Sequence, residues 1–213
     1  MTLKEAAIGM ERCNEYKGGL TREQFLFYEI RVVARLLAEG NTRQEATNRI
    51  VEDNLFQFPT ERMISSIANT CYNRLDILNS LRLVDCIANG DAENAKLINL
   101  YAMMRSNKIV WDFMITVIGE KYRTQDFSIE AKDFNLFMMR LQEQNEDVAS
   151  WSDKTIAKIK QVLKKSLAEA GYLDSTKSTV LNPVLAGYDL IDGIKDNSDH
   201  DALAAFDFDL SRG

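Results

Sequence analysis

Residues 21–78 read TREQFLFYEIRVVARLLAEGNTRQEATNRIVEDNLFQFPTERMISSIANTCYNRLDIL, and their punctuation predicts helices. Thr21 to Gln24 has capping-box spacing, in which a Thr and a Glu or Gln three residues on satisfy each other's backbone donors. The helix it opens should run to about Ala38 and stop at Gly40. Its apolar residues Phe25, Leu26, Tyr28, Ile30, Val32, Val33, Leu36 and Leu37 leave a narrow polar stripe at Gln24, Arg31 and Arg35. Such a helix is expected to be central and mostly buried. Glu29 falls on the apolar side and needs a partner there. Thr42 and Glu45 repeat the capping box ahead of a short helix ending near Asp53. Asn54 to Pro59 reads as a loop, because proline disfavours helix at the residue before it. Thr60 then caps a long helix to about Leu78. This order fits a helix-turn-helix unit, and equally any small helical bundle.

Helical signals continue outward, at about 80–88, 91–105, 108–122, 129–144 and 153–170. Asn89-Gly90-Asp91 is a turn whose Asp caps the next helix. Ser152 caps the last long helix, which ends at Gly171. Beyond it, two short apolar segments flank a polar tip at 175–179, the pattern of a β-wing. The fold class predicted is all-α, with at most one short β-hairpin and a winged-helix-like unit at the C-terminal side. We expect an N-terminal helical lobe over 1–88, a C-terminal lobe over 89–185 that holds the wing, and an acidic segment over 186–213.

Composition supports this class. The hydrophobic share is 46%, enough for a core, and there are only two prolines, few for a many-turned sandwich or barrel. No apolar run approaches the ~20 residues that cross a bilayer, and the first ten residues lack a secretory pattern. Cys13, Cys71 and Cys86 are odd in number and form no C-x-x-C pair. Small core residues in a reducing cytoplasm are the expectation. The net charge is −6, yet residues 185–213 hold seven acids against two bases. The rest of the chain is near neutral, so a local basic patch is allowed.

That patch is expected on the helix from Asp153 to Ala170. Ile156, Ile159, Leu163, Leu167 and Ala170 form one face. Lys154, Lys158 (about 40° away) and Lys165 (about 20° away) share the opposite face. Lys160 and Lys164 flank the apolar stripe. A packed face behind a row of ammonium groups suits docking on phosphates, and it is also an ordinary solvated face. Arg43, Arg49 and Arg62 form a weaker basic set, diluted by Glu45, Glu52, Asp53, Glu61 and Asp76. Catalysis is not predicted. The single histidine, His200, lies among acids and far from any nucleophile motif, and no P-loop, G-x-G-x-x-G or H-E-x-x-H occurs. No cofactor or metal site is expected. The aromatics do not interleave with basic residues along the chain, so they read as core.

Three stretches also carry a family resemblance. They are LLAEGNTRQEATNRIVEDNLFQFPTERMISSIANTCYNRL, INLYAMMRSNKIVWDFMITVIGEKY, and WSDKTIAKIKQVLKKSLAEAGYLD followed by LNPVL. Together they resemble the BrxA family of BREX phage-defence systems over roughly residues 20–185. The resemblance implies a two-lobed, NusB-like helical fold that binds double-stranded DNA. It also implies work beside other BREX proteins, including a methyltransferase and ATPases, in phage exclusion and host-DNA methylation, without an enzymatic role. The residues expected to meet DNA phosphates are Lys154, Lys158, Lys165, Lys164, Arg43, Arg49 and Arg62. A protein-protein adaptor in the same complex and an RNA-binding module are the alternatives. The acidic end is expected to serve a partner, or to mask the basic helix.

Overall fold

The computed structural model describes residues 10–21 and 24–206. Its helices, in chain order, are α1 (Phe27–Ala38), α2 (Arg43–Glu52), α3 (Glu61–Ile77), α4 (Leu81–Asn89), α5 (Ala92–Ser106), α6 (Lys108–Phe113), α7 (Glu120–Arg123), α8 (Ala131–Gln144), α9 (Glu146–Ala149), α10 (Asp153–Glu169) and α11 (Tyr188–Asp196). Short 3-10 turns occupy Gly18–Thr21 and His200–Phe206, and a π turn over Met114–Gly119 joins α6 to α7. Among the described residues there is no strand, only an isolated antiparallel bridge between Ser128 and Val180. The fold is all-α.

The structure adds a cap at Ser80, and the local signals at Thr42, Thr60, Asp91 and Ser152 do cap helices, each side chain accepting a backbone N–H. The first capping box does not. Thr21 closes the 3-10 turn, its Oγ1 donating to Gly18 O at 3.1 Å, and α1 starts six residues later at Phe27. The reason lies in tertiary contacts. Arg74, 1% exposed, donates from Nη1 to Phe25 O and from Nη2 to Gln24 O, both at 2.8 Å. Asn99 Nδ2 also donates to Phe25 O, at 2.7 Å. These buried donors hold the two carbonyls away from a helical path. Leu26 then turns the chain into α1 in the left-handed region, with φ 54°, a strained choice for a side-chain-bearing residue.

α5 is the most enclosed helix. Residues 97–105 are all buried, apolar on every side except for Asn99 and Arg105. α1 packs chiefly on α3 and α4, and α4 in turn on α5. Each fully buried Leu or Ile here contributes about 1.5–3 kcal/mol. One continuous buried cluster runs from Leu20 to Phe206.

The acidic end joins that cluster. Leu190, Ile194, Leu203 and Phe206 are buried, with α11 on α4 and α5 and the last 3-10 turn on the π turn. Gly119 permits that second contact, since a Cβ there would sit 3.0 Å from the Ala204 Cβ. Arg82 lies within 3.5 Å of carboxylate oxygens of Asp189 and Asp192, and 4.0 Å from Asp196.

The expected wing is reduced to three backbone contacts. Ile129 N donates to Thr179 O (2.8 Å), Leu181 N to Phe127 O (2.7 Å) and Asn182 N to Tyr172 O (2.9 Å). Segment 179–182 thus lies between 127–129 and Tyr172, in place of a hairpin on 172–174. The polar tip folds on itself, with Ser178 N donating to Ser175 O at 3.0 Å.

Candidate nucleic-acid interface

α10 begins at Ser152, whose Oγ accepts the Thr155 N–H at 3.2 Å. It closes at Gly171, where φ is +89°. Ile156, Ile159, Val162, Leu163 and Leu167 are buried, and the helix packs on α8 and the Gly18–Thr21 turn. Lys154, Lys158 and Lys165 are exposed on the other side, as their spacing predicts, and Lys160 and Lys164 are half-buried.

These five lysines line one open groove of about 1210 Å³. Its other walls are Ala131, Phe134 and Asn135 of α8, the extended pair Gln24–Phe25, and Thr176 from the polar tip. Among the described residues no carboxylate lines it. Lys160 Nζ donates to Asn135 Oδ1 (2.7 Å), Lys158 Nζ to Gln161 Oε1 (3.3 Å) and Lys165 Nζ to Gln24 Oε1 (3.1 Å). These amide partners orient the ammonium groups without neutralising them. Lys165 also lies 3.2 Å from Glu169. Lys154 and Lys164 form no ion pair among the described residues. Like charges gathered with so little compensation create a positive potential that an anionic ligand relieves.

The arginines divide. Arg43 is ion-paired with Asp76 and lies over the Tyr72 ring, and Arg49 is 3.2 Å from Glu39. Neither lines the groove. Arg62 is exposed beside a second cavity of about 830 Å³, which shares Gln24, Phe25 and Lys165 with the groove. That cavity also takes Lys96, Glu29, Glu169, Phe27, Tyr28 and Phe58. Glu29 forms no ion pair among the described residues. Lys96 was not legible as a site residue. It belongs to no basic cluster in the sequence, and only folding carries it to the Phe27 ring, 5.8 Å away.

None of the acids from Asp189 to Asp201 lines the groove; Asp207 and Asp209 lie outside the described residues. His200 is exposed. The three thiols are free, and burial pushes Cys71 up to about 12 and Cys86 up to about 11, so neither is a ready thiolate at neutral pH. Among the described residues no helix is long and apolar enough to cross a membrane.

A family model described as BrxA matches residues 14–198. The chain belongs to the BrxA family. A relative from Bacillus cereus (strain H3081.97), named BREX protein BrxA, is 37% identical over 76% of this chain and 80% of its own. One from Escherichia coli O9:H4 (strain HS), of the same name, is 29% identical over 78% of each. The crystal structure of an uncharacterized protein from Magnetospirillum magneticum superposes with a TM-score of 0.74 at 20% identity. It covers 90% of this chain and 97% of that one, so the BrxA chain shares that protein's fold.

Proposed function

We propose that this BrxA-family chain is a non-enzymatic, DNA-binding component of a BREX phage-defence system, acting with that system's methyltransferase and ATPases in phage exclusion and host-DNA methylation. The observation that carries the DNA-binding reading is the groove lined by five lysines and, among the described residues, by no carboxylate. Here the lysine ammonium groups take phosphates as point charges, and phosphate contacts carry no sequence information, so sequence preference is low. The arrangement around the groove supports a winged-helix-like unit. α8, the short α9 and α10 are followed by a loop whose outer segment returns to the residues ahead of α8. In this reading α10 lies along the duplex, with Lys154, Lys158, Lys164 and Lys165 on phosphates. Arg62 extends the contact, while Arg43 and Arg49 are surface ion pairs.

A second reading, a protein adaptor in the same complex, draws on Leu185 and Tyr188, 93% and 88% exposed. Binding of labelled duplex DNA, single-stranded DNA and RNA of one sequence, each at several salt concentrations, separates these readings. Saturable duplex binding that weakens as salt rises is expected. No binding to any of the three at low salt would overturn the proposal and favour the adaptor.

A further inference from the structure

The lysine groove opens onto the second cavity through Gln24, Phe25 and Lys165, which line both. That cavity has a different chemistry. Phe27, Tyr28 and Phe58 supply aromatic surface, and Arg62, Lys96 and Lys165 supply cations around it. Tyr28 is 56% exposed, unusual for a tyrosine in a helix that packs on four others. Its hydroxyl is held by Leu55 O at 3.1 Å, which fixes the ring against the 53–58 loop. Phe58 is half-buried and steadied by an edge contact with Phe56, ring centroids 6.5 Å apart. The wall shared with the groove is the pair Gln24–Phe25, whose carbonyls Arg74 and Asn99 hold from behind, just ahead of the strained turn at Leu26. Strain maintained by buried donors is a common mark of a functional position.

We infer that this cavity holds an unpaired nucleobase of the DNA whose backbone lies in the lysine groove. Aromatic faces within reach of cations stack any base while the cations hold the adjoining phosphates. A volume of about 830 Å³ leaves ample space for one nucleotide. The inference rests on the DNA-binding reading and adds a preference to it: a site with unpaired bases binds more tightly than a continuous duplex, because the unpairing cost is already met. The aromatic and basic residues come from α1, the 53–58 loop, α3, α5 and α10, so no run of sequence displays them together.

The test compares a blunt duplex with the same duplex bearing a three-nucleotide mismatched bubble that contains 2-aminopurine. The full chain is used, with Tyr28→Ala and Phe58→Ala as separate variants and circular dichroism to verify folding. The bubble is expected to bind about tenfold tighter than the duplex, the ratio given by about 1.4 kcal/mol of stacking. 2-Aminopurine fluorescence should be quenched on binding. Tyr28→Ala should lose most of both effects and leave blunt-duplex affinity unchanged. Equal affinity for bubble and duplex, or a preference and quenching that survive in both variants, would overturn the cavity inference and leave the groove reading standing. Failure to bind either DNA would overturn both.

Discussion

Arg105 and Asp199 meet in the interior, their side chains 4% and 9% exposed. Tyr101 donates to the same carboxylate oxygen at 2.8 Å, and Arg105 Nη2 donates to Met10 O at 2.9 Å. Burial and Asp199 together push the Tyr101 hydroxyl pKa well above its ordinary value. A buried pair of this kind is costly to break, because the surviving charge keeps its desolvation penalty. Asp199→Ala should therefore lower unfolding free energy by about 3–5 kcal/mol, measured by urea denaturation. Cys71 yields a pH prediction at the same scale. Its thiol is raised from 9.0 to about 12 by burial. Between those values the unfolded chain loses a proton that the folded chain keeps. Its contribution is complete below about 9 and is lost as pH rises toward about 12, at up to about 1.4 kcal/mol per pH unit. Cys71→Ala should flatten the fall in stability over that window; an unchanged slope would show that the thiol does not contribute.

At the scale of elements, caps and periodicity carried most of the information. Ser152, Gly171 and the apolar spacing between them placed α10 and its lysine face within a residue of where they lie. Gly171→Ala should cost about 1 kcal/mol by conformation alone, since nothing lies within 4 Å of the added Cβ. Ser152→Ala should cost about 1 kcal/mol through the lost cap. Thermal melts of both variants, with duplex binding assayed below the melt, check whether α10 keeps its fold. What the sequence concealed arises from contacts distant along the chain. Arg74 and Asn99 override a good capping box at Thr21 by bonding Gln24 and Phe25, 50 and 74 residues away from them. Arg43 looks as basic as Lys154 in sequence, yet Asp76, 33 residues on, neutralises it. Arg43→Ala is accordingly expected to change stability and leave duplex affinity within twofold, whereas Lys154→Ala weakens binding.

For the whole molecule, charge distribution matters more than the net value. The −6 total coexists with a groove lined by five lysines because the described C-terminal acids sit elsewhere, three of them around Arg82 and Asp199 in the core. Composition revealed the imbalance between the end and the body, but not that the end is built into the core. Deleting residues 189–213 should not unmask DNA binding. It removes buried Leu190, Ile194, Leu203 and Phe206 and strands Arg105, so loss of cooperative unfolding is the expected result. The central claim, that α10 holds a DNA backbone, is tested most directly by the salt dependence of duplex affinity in the native chain and in the variant carrying Lys154→Ala, Lys158→Ala and Lys165→Ala. The plot of log affinity against log salt should be shallower in the variant by about 2–3, near 0.9 for each phosphate contact removed. An identical slope in the two proteins would contradict the account and move the DNA, or the partner, to another face.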